Sequence, residues 1–122
     1  MLKPFVRKIS RRFTENSHDA EFIDFLHHHD SLQPQCLPTA WVGSLARWVL
    51  HIEMAPPSPR SPLIIQGESD MTVDWRHNLQ VLKEKFKAPK ILLLPEARHH
   101  MANESQLYRD QYFAFLTEQM HK

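Results

Sequence analysis

Two polar clusters in the C-terminal half of the chain contain groups that could exchange a proton. The segment PEARHHMANE (95–104) places His99 and His100 directly after the apolar run ILLL, and the cluster GESD (67–70) ends in Asp70 after another apolar run. An Asp that accepts a hydrogen bond from one imidazole nitrogen fixes the tautomer, which leaves the other nitrogen free to take a proton from a nucleophile. These residue types indicate a general base, His99, and an orienting acid, Asp70.

The spacing of these residues also allows a structural interpretation. Asp70 would then make a turn after Gly67, and the two histidines would be a surface pair. If Asp70 were not the acid, Asp74 is the fallback, although its position inside the following helical pattern makes it less suited to reach the same place.

The elements that must position both clusters form a strand, a helix and a strand. PLIIQ (62–66) and KILLLPE (90–96) are short apolar runs without alternation, and the segment between them, 73–86, carries Trp75 and Leu79 on one helical face. A βαβ unit has parallel strands, whose apolar character predicts cover on both faces. Catalytic groups gather at the carboxyl ends of such strands, so Asp70 and His99 should lie at one rim of the sheet.

Helices are predicted on either side of this unit. Helical spacing favours a short amphipathic helix over 19–30 with Asp19 as its cap, and a second helix over 39–54. The proline-rich stretch 55–62 should be a linker. The closing segment 104–119 is predicted as a helix that packs back on the sheet.

Two convincing strands are too few for a stable parallel sheet in water. The sequence therefore predicts part of a larger sheet with an open apolar edge. Self-association, or pairing with an upstream half, is the expected way to cover that edge.

Composition excludes several classes of function. A net charge of +1 gives no field that would attract nucleic acid, and no apolar run approaches the ~20 residues that span a bilayer, so a soluble, cytoplasmic protein is expected. Cys36 is the single cysteine, which excludes an internal disulfide and a multi-cysteine zinc site. Gly43 and Gly67 are the two glycines, so glycine-rich phosphate loops are excluded, and no cofactor or metal is predicted.

Three further features have alternative interpretations. The basic start MLKPFVRKISRR (1–12) could be a transit peptide or a nucleic-acid arm, but a solvated basic helix end is favoured. HHHD (27–30) could bind a metal ion, but a solvated helix end is favoured because consecutive helical residues point ~100° apart. The tryptophans are predicted to be core anchors rather than an aromatic cage: Trp41, Trp48 and Trp75.

The run PLIIQGESDMTVDW…KILLLPEARHHMANE resembles the C-terminal part of the α/β-hydrolase fold, in particular the lysophospholipase and monoglyceride-lipase-like group with its serine-aminopeptidase relatives. In that family a strand leads into a G-x-x-D turn with the triad acid, which Gly67 and Asp70 match. The last strand leads into a turn with a small residue, Tyr or Arg, and the triad base, which Ala97, Arg98 and His99 match. The order of acid and then base is the one that follows the family's serine.

The resemblance covers about 62–119, and it implies a division of the chain. Residues 61–122 would be the C-terminal βαβα part of an α/β-hydrolase domain, and 1–60 a helical lid and connection segment. Within that segment, 29–53 is similar to the lid-to-sheet connection of bacterial members.

The sequence departs from the family pattern at two places. The family commonly has Gly where this chain has Glu96, and no G-x-S-x-G nucleophile elbow exists here. Ser44, in VGSLA (42–46), lies inside a helical pattern with no strand before it, which makes it a poor nucleophile. The resemblance thus implies a fragment or truncated serine hydrolase of carboxylic esters, lysophospholipid or monoacylglycerol-like, with acid and base but no nucleophile. The alternative is a non-enzymatic, degenerate relative that works as an association module.

Overall fold

We describe the fold from a computed structural model, in which residues 6–121 are described; predictions that fall on residues 1–5 lie outside this range. The described chain is a mixed α/β structure with two small sheets. Its elements, in chain order, are β1 (Lys8–Ser10), α1 (Ala20–Asp24) with a π-helical turn (Phe25–His29), β2 (Cys36–Pro38), α2 (Thr39–Met54), β3 (Leu63–Gly67), α3 (Trp75–Lys85), β4 (Lys90–Leu94), a 3₁₀ turn (Met101–Asn103) and α4 (Gln106–Met120).

The predicted βαβ unit is confirmed. Strands β3 and β4 pair in parallel, with the register running from Leu63 opposite Lys90 to Gly67 opposite Leu94. Helix α3 connects them and buries Trp75 and Leu79. Within residues 6–121 this sheet has two strands, so the larger sheet that the apolar runs predict is not formed by the described chain itself.

Helix α4 covers one face of the parallel pair, as predicted. Leu94 at the end of β4 forms the buried core with Tyr108 and Tyr112 of α4. Side chains alternate along a strand, so Leu93 points to the other face, where it shares a cavity with Trp75 and Leu79. Leu93 remains 41% exposed, so this second face is only partly covered.

The N-terminal region corrects one prediction. The basic start was expected to be a helix end, but Lys8–Ser10 is a strand, β1, which pairs antiparallel with β2. Three residues are too few to produce a periodic pattern, and the pairing joins positions about thirty residues apart (Ile9 opposite Leu37). The prediction for Asp19 is confirmed, since its carboxylate accepts a hydrogen bond from Phe22 N at 3.0 Å and begins α1.

Helix α2 has the predicted bounds, but its apolar face does not enter the core. Trp41 and Trp48 are 51% and 58% exposed, so the prediction that they anchor the core was wrong, whereas Trp75 is buried as predicted. The following stretch 55–62 forms no helix, as its prolines require, and Ser58 pairs with Phe86 as an isolated bridge. Among the described helices, none combines the length and apolar character needed to cross a membrane.

Candidate active site

The turns that follow β3 and β4 leave from the same rim of the sheet and touch each other. Ser69 N donates to Ala97 O at 3.0 Å, and Glu68 N donates to Leu94 O at 3.0 Å. A Cβ atom on Gly67 would lie only 2.3 Å from the carbonyl oxygen of Ala97. The close approach of the two turns therefore requires glycine at position 67.

Asp70 and His99 meet across these turns as predicted. His99 Nδ1–H donates to Oδ2 of Asp70 over 2.8 Å. The Asp70 side chain is 3% exposed and that of His99 is 35% exposed. An ionised carboxylate only accepts hydrogen bonds, so the proton lies on Nδ1 and Nε2 keeps its lone pair. Within residues 6–121, no side chain or backbone group bonds to that Nε2, which leaves it free to accept a proton.

The carboxylate of Asp70 is held in its ionised form. Burial alone would raise its pKa, but the hydrogen bond and charge of His99, together with backbone donors, outweigh burial and lower the pKa of Asp70. Those donors are Thr72 N at 2.8 Å and Val73 N at 3.3 Å, both on Oδ1. Because each oxygen has its own partners, the carboxylate is fixed in orientation as well as in charge.

The neighbouring candidates have other roles. Asp74 accepts from His77 N at 3.1 Å and caps α3, so it does not replace Asp70. Ser44 Oγ donates to Ala40 O at 3.0 Å within α2, which is an ordinary helical hydrogen bond. The pKa of His100 is lowered by burial, and then by the charges of His99 and Arg11, so its imidazole favours the neutral form.

Glu96 adopts a backbone conformation that favours glycine. Its φ is +63°, in the left-handed region where a Cβ is sterically costly. This is the position, three residues before His99, where the resembled family commonly has Gly. The turn therefore has a backbone shape that glycine would adopt at lower cost.

Glu104 anchors the turn that carries His99, and sequence analysis gave it no role. Its side chain is fully buried and accepts from three backbone N–H groups: Arg98 at 2.8 Å, His18 at 2.9 Å and Ser105 at 2.9 Å. His18 Nδ1 lies 3.0 Å from the same carboxylate. Burial would raise the pKa of Glu104, but these hydrogen bonds outweigh it and lower the pKa.

Residues 14–18 form a strap that joins both turns of the candidate site. Asn16 Oδ1 accepts from Thr72 Oγ1 at 2.8 Å, and Asn16 O accepts from His100 N at 2.9 Å. Arg98 donates to Ser17 O at 2.8 Å. Asn16 and Ser17 are buried although both are polar, because their hydrogen bonds are made within the protein. No local sequence pattern signals these contacts, which join residues more than fifty positions apart.

The histidine cluster 27–29 forms contacts of another kind. His28 Nδ1 lies 2.9 Å from Asp24 Oδ1 on the exposed side of the first helical segment. Across residues 6–121, no group of three or more His, Cys, Asp or Glu side chains is arranged to hold a metal ion.

Comparisons of the chain with protein-family models, with curated proteins and with solved structures found no significant match.

Proposed function

We propose that this chain supplies the general base, His99, and the orienting acid, Asp70, of an α/β-hydrolase-type catalytic triad that acts on carboxylic esters. The observation that carries the proposal is the 2.8 Å hydrogen bond between them at the carboxyl rim of a parallel βαβ unit. In this enzyme class the acid precedes the base along the chain, as Asp70 precedes His99 here. A lysophospholipid or monoacylglycerol-like ester is the proposed substrate.

In this proposal each member of the pair has a separate task. His99 Nε2 takes the proton of an attacking hydroxyl, and Asp70 stabilises the imidazolium that results. Asp70 stays ionised throughout, which agrees with the lowered pKa of its carboxyl. The pair later returns the proton to the leaving alkoxide.

The nucleophile must come from a strand and elbow that this sequence does not contain, because no G-x-S-x-G occurs in it. Ser44 is unsuitable because its hydroxyl is bonded within α2. The oxyanion donors of an elbow are missing with it, and losing even one such donor costs ~10²–10³ in rate. We therefore expect the chain by itself to hydrolyse activated esters no faster than free imidazole.

The test is esterase activity in a polypeptide that joins this chain to the coding sequence immediately upstream of Met1. With p-nitrophenyl esters, His99→Ala should lower kcat by about 10²–10⁴-fold. His100→Ala is the matched control, since it removes an adjacent imidazole that packs edge-on against His99 but forms no hydrogen bond with His99 or Asp70. Equal activity in the extended protein and its His99→Ala variant would overturn the proposal.

A second function, an association module without catalysis, is favoured by the exposed apolar surface. Trp48 and Leu50 of α2 are 58% and 60% exposed, and each strand of the β3–β4 pair has one edge without a strand partner in the described chain. Such surface is usually covered by another chain. If no elbow serine is encoded upstream of Met1, this second function is supported over the first.

A further inference from the structure

A groove separate from the acid–base pair runs between the β1–β2 sheet, α2 and the turn after β3. Its volume is about 650 Å³, within the range of sites that hold a small organic ligand. Its lining includes the apolar residues Leu37, Trp41, Leu45 and Val73, together with the basic residues Arg11 and Arg12. The groove is thus lined by both apolar and cationic residues.

The groove reaches the candidate active site through residues that belong to both. Thr72 and Val73 line it, and their backbone N–H groups donate to Asp70 Oδ1 at 2.8 and 3.3 Å. Arg11, which also lines the groove, contributes to lowering the pKa of His100, the residue next to His99. A ligand that contacts Thr72 and Val73 in the groove would therefore lie beside two of the residues that hold Asp70 in place.

The cations of the groove have no anionic partner in the described chain. Arg11 and Arg12 line it, no Asp or Glu does, and in residues 6–121 neither guanidinium forms an ion pair. Arg11 lies over the ring of Phe13, 5.1 Å from its centroid, which fixes its side chain without neutralising it. Two unneutralised cations among apolar lining residues are complementary to an anion that carries a hydrocarbon chain.

We infer that this groove binds a single-chain amphiphile with an anionic head, whose chain lies along Trp41 and Leu45 and whose head lies at Arg11 and Arg12. A neutral head would gain nothing from the two cations, and a cationic head would be repelled by them. That the bound amphiphile is the ester substrate, of the lysophospholipid-like rather than the neutral monoacylglycerol-like kind, rests on the proposed function. Binding of the amphiphile to the groove does not rest on the proposed function, because binding involves no chemical step.

The test measures binding to the whole chain with dodecyl phosphate, dodecyl maltoside and dodecyltrimethylammonium, each below its critical micelle concentration. Titration is followed by the fluorescence of Trp41, and Trp41→Phe identifies its share of the signal. Dodecyl phosphate should bind at least about tenfold more tightly than the other two. Arg11→Gln combined with Arg12→Gln should abolish that preference, while circular dichroism checks the fold.

Arg7→Gln combined with Lys8→Gln is the matched control, because it removes two neighbouring charges that do not line the groove. It should retain the preference for dodecyl phosphate. Leu45→Gln, at a half-exposed position, should weaken the binding of all three ligands by the same factor. Equal affinity for the three heads, equal losses in both charge variants, or binding only to micelles would overturn the inference. His99→Ala should bind as the native chain does, which separates this result from that of the esterase test.

Discussion

The backbone at Gly67 lies so close to Ala97 that a Cβ at position 67 would come within 2.3 Å of the Ala97 carbonyl oxygen and 2.5 Å of the Arg98 carbonyl oxygen. Both atoms belong to the backbone, so neither can swing aside. The two turns that carry Asp70 and His99 meet at this close approach, where Ser69 N also donates to Ala97 O. The distance between His99 Nδ1 and Asp70 Oδ2 therefore depends on the absence of a side chain at position 67.

Gly67→Ala should therefore separate the two turns. We expect a loss of about 1–3 kcal/mol in the free energy of unfolding, typical of forced overpacking. The hydrogen bond from His99 to Asp70 should lengthen or break, which nuclear magnetic resonance detects as a fall in the Nδ1–H tautomer of His99. Gly43→Ala is the control: its Cβ would meet only Arg47 Nη1 at 3.6 Å, so it should stabilise α2 by about 0.5–1 kcal/mol. Similar unfolding midpoints in both variants would contradict the close-approach argument.

Glu96→Gly should raise stability, although glycine usually lowers it. The φ of +63° at Glu96 costs about 1 kcal/mol for a residue with a Cβ, and glycine removes that cost. Urea unfolding should show a higher midpoint. Glu68→Gly is the matched control in the other turn, where φ is not positive, so it should lower the midpoint. A lower midpoint for Glu96→Gly as well would count against strain at this position.

Glu104→Gln should destabilise the protein by about 2–4 kcal/mol, because it puts an NH₂ group where backbone N–H donors need an acceptor. The turn at Arg98 should loosen, seen as faster hydrogen exchange of the Arg98 and His18 amides. Glu84→Gln removes an exposed carboxylate that accepts from Gln80 at 3.1 Å, and should change stability by less than about 0.5 kcal/mol. Comparable losses in the two variants would show that Glu104 does not anchor the turn.

Stability should fall as pH falls, for a reason that can be assigned to particular groups. The pKa values of Asp70 and Glu104 are lowered by folding, so the unfolded chain binds more protons. Their contribution is fully present above their ordinary pKa values of 3.8 and 4.5 and is lost as pH falls through the lower folded-state values. His100 adds a further loss of stability below pH 6.5, its ordinary pKa, because burial lowers its pKa in the folded state. The free energy of unfolding, measured with urea from pH 7 to 3, should fall less steeply below pH 4.5 in Glu104→Gln than in the native chain. The same slope in both proteins would refute the assignment.

The exposed face of α2 and the open strand edges should make the chain associate. We expect a dimer or larger species in light scattering, because Trp41, Leu45 and Trp48, which recur at helical spacing along one face of α2, are 51%, 44% and 58% exposed in the single chain. Trp48→Gln should shift the equilibrium towards monomer if this face is the contact. Arg47→Gln, next to it on α2, is the polar control and should leave the equilibrium unchanged. A monomer at all concentrations would show that the chain satisfies its own exposed surface.

Local sequence patterns were enough to predict the βαβ unit, α2 and the cap at Asp19. Each depends on residues within about one element of one another: Leu and Ile runs for β3 and β4, and spacings of three and four for the helices. The same patterns placed Asp70 and His99 at one rim of the sheet, because parallel strands bring their carboxyl ends together. The choice of these two residues as acid and base also relied on the family resemblance.

Tertiary structure alone decided which distant groups meet around that pair. The donors to Glu104 come from positions 18, 98 and 105, and the strap at Asn16 bonds to Thr72 and His100. The pairing of β1 with β2 is equally long-range. Helical spacing could place Trp41 and Trp48 on one face of α2, but not show whether anything packs on that face. A hydrogen bond or an apolar contact between remote residues leaves no periodicity in the sequence, because it depends on where the whole chain brings those residues in space.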